Sequence, residues 1–373
     1  MTSASGSERG GASRINELRG TIDKLDAEIL DLLNQRLQIA RQIGEIKQDI
    51  RTEVVDRQRE HQVLDRLSAL NSGPLGQEDL RRIFHAVISA ARNIQIPHRA
   101  HLQLPSLFGV IGDPIAHSVS PVMHGRAFAY IGFNGIYLAF QVKDLPGATA
   151  GIRALGLKGV SVTIPHKVAV MELIDEVDET ARRIGAVNTV VNRDGQLWGC
   201  NTDCPGAVRA LTEKTSLRDK RVVILGAGGA ARAVGFGIRA EGGRVVIANR
   251  TPKRGEILAR DLDSEFVPLE DLRSLDCDIL INTTPVGMHP QVDDTPLSKD
   301  LLHRDMVVMD AVFNPLQTRL LKDAQACGCT TVDGATMLVY QGAEQFELWT
   351  GEQAPVEVMR QAVLEALRPG GIG

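Results

Sequence analysis

No apolar run in this 373-residue chain approaches the ~18 residues needed to cross a bilayer as a helix, which argues against a membrane span. Nor is there a basic excess. Lys and Arg number 42 against 46 Asp and Glu, a net charge of -4 that gives nucleic acid no broad footprint. The five cysteines (Cys200, Cys204, Cys277, Cys327 and Cys329) contain no Cys-x-x-Cys pair and no regular ladder, so reduced thiols in a cytoplasmic protein fit best. Nine histidines show no His-x-x-x-His spacing, which leaves no built-in metal site to expect. The opening MTSASGSERGGASR lacks the apolar core of a secretory signal and, rich in Ser and Gly, reads as a frayed tail. No internal repeat is visible. What remains is a soluble composition, 43% hydrophobic and 24% charged, and a length that at ~100 to 200 residues per domain implies two or three domains.

From Leu18 onward the apolar residues Leu18, Ile22, Leu25, Ile29, Leu32, Ile39, Ile43, Ile46 and Ile50 recur at steps of four and three, the mark of one long amphipathic helix with a coiled-coil-like seam. At ~1.5 Å per residue it is roughly 50 Å long, too long for two shorter helices near 56 to 70 and 77 to 95 to cover. A partner chain is implied. The segment IPHRAHLQLPS, Ile96 to Ser106, has two prolines and no apolar period and reads as a linker. Beyond it, short β-type runs (LFGVIG, IYLAFQV, GVSVTI, NTVVN) alternate with helical ones, and a second set follows: RVVILG, RVVIAN, DILINT, MVVMDAV and CTTVDG. Continuous apolar strands of this kind suit a parallel, doubly wound sheet. The fold class expected is therefore α/β, an all-α module over 12–97 and a linker over 98–105 preceding an α/β substrate domain over 106–213. Helices near 336 to 369 rejoin that domain after a Rossmann unit over 214–335.

The helical seam skips one apolar step at Arg36, and a guanidinium inside an apolar seam is costly unless an anion meets it. Lys47 lies on the same face, Asp56, Arg59 and Glu60 open the second helix, and Gln95 ends the third. Together they could converge on a small polyanion. Spacing alone equally allows Arg36 to pair with Glu60, or Lys47 to snorkel. The run LRGTIDKLDAEILDLLNQRLQIARQIGEIK, with VVDRQRE and AARNIQ, resembles the all-helical chorismate mutase family over about residues 14 to 96. The resemblance implies that Arg19 and Arg36 hold the two carboxylates of chorismate, Lys47 and Gln95 bond the breaking ether oxygen, Asp56 and Glu60 contact the ring hydroxyl, and Arg59 supports the pocket. It also implies an intertwined homodimer. Such a rearrangement to prephenate needs no nucleophile, only a clamped conformer and stabilised negative charge on the ether oxygen. Ala91 departs from the family pattern where a small hydroxyl residue is frequent, and Arg57 where proline is common.

The strand RVVILG runs into Gly226, Ala227, Gly228, Gly229, Ala230 and Ala231, a Gly-x-Gly-x-x-Ala turn opening a helix, where pyrophosphate can approach backbone N–H groups. The next strand ends without the acid that would bond a ribose 2'-hydroxyl. It delivers Asn249, Arg250 and Thr251, then Arg254, cations that suit a 2'-phosphate and hence NADP rather than NAD.

Four loop segments, GDPIAHSVSP, SVTIPHK, GAVNT and CNTDCPG, concentrate polar residues at strand ends. Together with GAGGAARA, NRT, DAVFNP and MLVYQGA they resemble shikimate dehydrogenase across about residues 106 to 369. The resemblance implies Ser118 and Ser120 on the substrate carboxylate, Thr163, Asn188 and Gln341 on its hydroxyls, Lys167 and Asp203 as the catalytic pair, and Gly334 beside the cofactor. Ser161 replaces a usual asparagine and Phe313 a usual tyrosine, which weakens two substrate hydrogen bonds; His117 and His166 read as loop scaffolding. The implied substrates are shikimate and 3-dehydroshikimate. Two rival readings are a quinate/shikimate or folate-type dehydrogenase, and a helical module that senses chorismate or prephenate without catalysis.

Overall fold

The four-three spacing does produce one continuous helix, α1 (Ser5–Asp49), followed by α2 (Arg57–Leu70) and α3 (Gln77–Gln95). These elements come from a computed structural model that describes residues 5–50, 56–95, 104–272 and 276–368; most of the expected linker, 96–103, lies outside them. The expected frayed tail is instead helical from Ser5. Extending an existing helix needs no new nucleus, so a polar segment is carried along where it could not fold alone.

The side of α1 that packs within its own chain is not the expected seam. Ala40 and Gly44 are buried, with Leu33, Arg36, Leu37 and Lys47 half-buried, a row displaced by about one residue around the helix. Small size decides this face: a Cβ on Gly44 would lie 2.8 Å from the Gln95 Cα of α3. On α3, which packs against it, Leu80, Ile88 and Ala91 are buried, and α2, which packs on α3, buries Leu64. The apolar seam stays open, with Leu18, Ile22, Leu25, Ile29 and Leu32 all more than half exposed. Asp56 caps α2 by accepting the Arg59 N–H at 2.9 Å.

The chain divides into two compact units, the second covering residues 105–129 and 133–373. It holds two six-stranded sheets. In chain order the first contributes β1 (Ser106–Gly112), α4 (Ser120–Ile131), β2 (Gly135–Gln141), α5 (Leu145–Ala154), β3 (Gly159–Val162), β4 (Glu176–Val177), α6 (Glu179–Ile184), β5 (Thr189–Arg193), β6 (Gln196–Cys200) and α7 (Asp203–Thr212). Its order is β2-β1-β3-β5-β6-β4. This sheet is mixed, not parallel as expected, because β5 runs antiparallel to both β3 and β6. The β5–β6 pair is made by an Asp-Gly hairpin: Asp194 and Gly195 take φ of 54° and 97°, the left-handed pair that matches strand twist in a two-residue turn.

The second sheet is the doubly wound one. It comprises β7 (Arg221–Leu225), α8 (Gly229–Ala240), β8 (Arg244–Asn249), α9 (Pro252–Asp261), β9 (Glu265–Pro268), β10 (Ile279–Asn282), β11 (Val307–Asp310), α10 (Arg319–Ala326) and β12 (Thr330–Val332). All its pairs are parallel, in the order β12-β11-β10-β7-β8-β9, with the reversal of direction between β7 and β10. Ligands bind beyond the strand ends at such a switch point. The final helices α11 (Gly334–Thr350) and α12 (Val356–Ala366) return to the first sheet, α11 packing on α7 and β5.

Behind the first sheet, His124 of α4 is fully buried, stacked on Tyr137 at 4.5 Å between ring centroids, and neither ring nitrogen has a partner within hydrogen-bond distance among the described residues. Burial holds its pKa down from 6.5 to about 3, with the nearby Gln345 amide opposing the effect. Between those values the unfolded chain binds a proton that the folded chain refuses, so this group makes stability fall as the pH drops. From pH 7 to pH 5 the loss from His124 is about 2 kcal/mol. Urea midpoints at the two pH values should therefore differ less for His124→Phe than for the wild type; equal differences would mean that the imidazole titrates normally.

Candidate active sites

The first site forms where the ends of β3, β5 and β6 meet α7 and α11. Asp203 opens α7, where the helix N-terminus favours a carboxylate, and is only 6% exposed. Its Oδ2 accepts from Lys167 Nζ at 2.5 Å, and its Oδ1 accepts from Asn188 Nδ2 at 2.9 Å. Asn188 is locked in turn, since its Oδ1 accepts the Thr202 N–H at 2.7 Å and the Thr189 hydroxyl at 2.8 Å. Gln341 of α11 accepts from Asn188 at 3.4 Å, which brings Lys167, Asn188, Asp203 and Gln341 into one cluster.

A second, deeper layer was not anticipated. The Tyr137 hydroxyl meets Ser161 Oγ at 2.6 Å, Ser161 donates to Gln345 Oε1 at 2.8 Å, and Gln345 donates to the Asn188 carbonyl at 3.3 Å. Burial pushes the Tyr137 phenol above its ordinary range, while bonds to Ser161 and Ser120 oppose that shift. Ser120 is thus linked to the cluster from behind. Ser161 does more than shorten a usual asparagine, because its hydroxyl is engaged on the interior side. Gln345 lies one helical turn beyond Gln341, so the i, i+4 spacing could have revealed it.

Ser118 sits on the β1–α4 loop, its Oγ accepting the Ser120 N–H at 3.4 Å, while Thr163 follows β3 and accepts the His166 N–H on its carbonyl. Phe313 is half-buried on the loop after β11. No hydrogen bond joins Ser118, Thr163 or Phe313 directly to the Lys167 cluster among the described residues. His166 bonds the Val142 carbonyl at 2.9 Å from a buried position, as scaffolding requires.

The glycine-rich turn stands against this cluster. Gly226 has φ of +117°, and a Cβ there would lie 2.6 Å from Thr283 Oγ1, so both conformation and space demand glycine. Gly228 caps α8 with open space around it, followed by Gly229 and Ala230 in the first turn and preceded by Ala227. A Cβ on Gly229 would be 3.6 Å from Lys167 Cδ, which sets the turn beside the lysine. Gly334 approaches so closely that a Cβ would lie 2.5 Å from the Val312 carbonyl. That loop is held by fully buried Asp310, which accepts from the Val312 N–H, Thr318 Oγ1 and Asn282 Nδ2; burial pushes its pKa up to about 6. At the end of β8, Asn249 Nδ2 donates to the Thr251 carbonyl at 2.9 Å, while Arg250, Thr251 and Arg254 are exposed around the start of α9. Neither arginine has a carboxylate partner among the described residues.

A second site lies in the helical unit, a cleft of about 620 Å³. Its lining includes Arg36, Lys47, Asp56, Arg59, Glu60 and Gln95, and does not include Arg19. The alternative pairing of Arg36 with Glu60 is not formed. Arg36 donates to the Val87 carbonyl at 3.3 Å, and Glu60 is taken by Arg92, a residue that the spacing argument did not single out. Among the described residues no helix is long and apolar enough to cross a membrane, and no group of His, Cys, Asp and Glu could hold a metal.

Comparison with known proteins follows the same division. Residues 110–190 match the shikimate dehydrogenase substrate binding domain, 209–309 the shikimate/quinate 5-dehydrogenase family and 334–364 the shikimate 5'-dehydrogenase C-terminal domain, while 18–96 match chorismate mutase type II. The shikimate dehydrogenase (NADP(+)) of Methanopyrus kandleri is 52% identical over 282 residues, which cover 70% of this chain and 96% of that protein. A crystal structure of a shikimate dehydrogenase in complex with NADP+ superposes with a TM-score of 0.68 at 43% identity, over 71% of this chain and 96% of that one. The Thermus thermophilus enzyme in complex with NADP(H) and shikimate gives 0.66 at 40% identity, over 70% and 99%. Both the Lys167–Asp203 cluster beside the glycine-rich turn and these relatives lead to one assignment: the chain belongs to the shikimate dehydrogenase family and carries, ahead of that portion, a chorismate mutase type II domain.

Proposed function

We propose that the chain is a bifunctional enzyme of aromatic amino-acid biosynthesis, reducing 3-dehydroshikimate reversibly to shikimate with NADPH and rearranging chorismate to prephenate. The observation that carries the first activity is the Lys167–Asp203 pair lying against Gly229 of the glycine-rich turn. When bound, NADPH supplies the hydride that reduces the ring ketone. Lys167 gives a proton to the oxygen that gains charge as the ketone is reduced, and Asp203 orients the ammonium and accepts its hydrogen bond. Asn188 and Gln341 hold the ring hydroxyls, with Thr163 beside them, and Ser118 and Ser120 take the carboxylate. Phe313 closes the pocket by apolar contact. The residues fit the cofactor as well: α8 presents its N-terminus to the pyrophosphate past Gly228, and Arg250 with Arg254 meets a 2'-phosphate.

In the helical cleft, Arg36 takes a carboxylate, Lys47 and Gln95 the ether oxygen, and Asp56 and Glu60 the ring hydroxyl, with Arg59 alongside. Arg19 reaches a cleft from the partner in a homodimer built on the exposed seam of α1, since a contiguous apolar stripe of this length marks an interface. The division into a mutase domain over 12–97, a substrate domain over 106–213 with 336–369, and an NADP domain over 214–335 follows. A cytoplasmic setting accords with its thiols, all five of them free.

Two assays on the intact chain test the proposal: NADPH oxidation with 3-dehydroshikimate, and loss of chorismate absorbance. Prephenate binding without chorismate turnover would make the helical domain a sensor. Arg250→Ala should weaken NADPH binding by roughly tenfold to a hundredfold while NADH binding is nearly unchanged, as expected for one charge-assisted contact to the 2'-phosphate. Equal weakening of both cofactors would move Arg250 from the 2'-phosphate to the fold or the pyrophosphate.

A further inference from the structure

The cleft of the helical unit contains a cation with no role in the scheme above. Arg92, on α3, lines it next to Ala91. Its guanidinium forks onto Glu60 of α2: Nε donates to Oε1 at 2.7 Å, and Nη2 donates to Oε2. The two side chains are 21% and 18% exposed, so the pair is largely withdrawn from solvent screening. The other charges near it are differently engaged. Asp56 spends Oδ1 on capping α2, and Arg36 bonds the Val87 carbonyl. Glu60 is therefore the cleft acid whose carboxylate plane is set by a side chain from another helix. A guanidinium fork fixes both oxygens of a carboxylate, leaving each with a lone pair in a defined direction; an ammonium cannot do this.

We propose that Arg92 is a positioning residue of the mutase site, holding the Glu60 carboxylate so that one oxygen faces the hydroxyl of a small cyclic dicarboxylate. This rests on the mutase reading of the cleft and adds to it the residue that orients its acid. The hydroxyl does not react, so the contact is made alike in the ground state and the transition state, and its loss appears mainly in KM.

The test is a double-mutant cycle on the full-length chain with Arg92→Met and Glu60→Gln, reading kcat and KM for chorismate. Arg92→Met should raise KM roughly tenfold to a hundredfold in the wild-type background and less than about twofold in the Glu60→Gln background. Arg92→Lys, which keeps the charge and loses the fork, should still raise KM by at least about fivefold, and a KM within about twofold of wild type would overturn the fork as the positioning element. Equal losses in both backgrounds, no loss, or a fall in kcat with KM unchanged would overturn the proposal. Should Arg92→Met fail to fold, the cycle with Arg92→Lys reads the same coupling on a smaller scale. A wild-type chain that binds prephenate without converting chorismate shifts the readout to Kd, with the same coupling expected. A wild-type chain that neither converts nor binds removes the mutase reading and this proposal together.

Discussion

Lys167→Ala is expected to lower dehydrogenase turnover by roughly 10² to 10⁴, the range typical of lost acid–base catalysis, with little change in NADPH affinity. The lysine is 17% exposed in its side chain and its ammonium lies 2.5 Å from Asp203 Oδ2, so truncation to Ala removes the ammonium that this carboxylate holds in the cluster. Its Cδ passes the Gly229 position without blocking the turn, and for that reason cofactor binding should survive. Steady-state assay in both directions, with cofactor affinity from fluorescence titration, checks both halves. Turnover within a few-fold of wild type would remove Lys167 from the mechanism. A parallel loss of NADPH affinity would instead give it a role in holding the turn.

The second large effect lies in the helical unit. Arg19→Ala and Arg36→Ala homodimers are each expected to lack mutase activity, and co-folding the two should restore about a quarter of the wild-type level. Half of a random mixture is heterodimer, with one of its two sites intact. The geometry behind this is simple. Seventeen residues along α1 set the two arginines roughly 25 Å apart, and the cleft that contains Arg36 does not include Arg19. A small dicarboxylate cannot span that length. If both arginines hold it, one comes from a second copy, whose helix would also cover the seam that leaves Ile39 and Ile46 each 59% exposed. Mixing with no recovery, under conditions where subunit exchange is demonstrated, would sink the shared site.

Much of this protein is written locally. The three helices, the glycine-rich turn, the strand that ends in Asn249 and Arg250, and the polar loops at strand ends are legible because each depends on spacing over a few residues: a helical period, a turn that only glycine adopts, a cap. Glycine at Gly226 is required by its own φ. The antiparallel β5–β6 pair was also locally encoded, in Asp194 and Gly195, but continuous apolar strands drew the reading toward an all-parallel arrangement.

Other features depend on which side of an element meets which neighbour, and no window along the chain contains that. The displaced packing row of α1 is selected by the fit of Gly44 against Gln95, 51 positions away, and not by hydrophobicity, which favours the seam. The pairing of Arg92 with Glu60, in preference to Arg36, is decided by the crossing of α2 and α3. The layer of Tyr137, Ser161 and Gln345 behind the catalytic cluster joins β2, β3 and α11, elements separated by up to about two hundred residues of chain. Sequence by itself determined the residue types and the local backbone that chemistry of this kind needs. Only tertiary packing decided their partners, because hydrogen bonds and ion pairs depend on distances of a few ångströms between groups that the chain order leaves far apart.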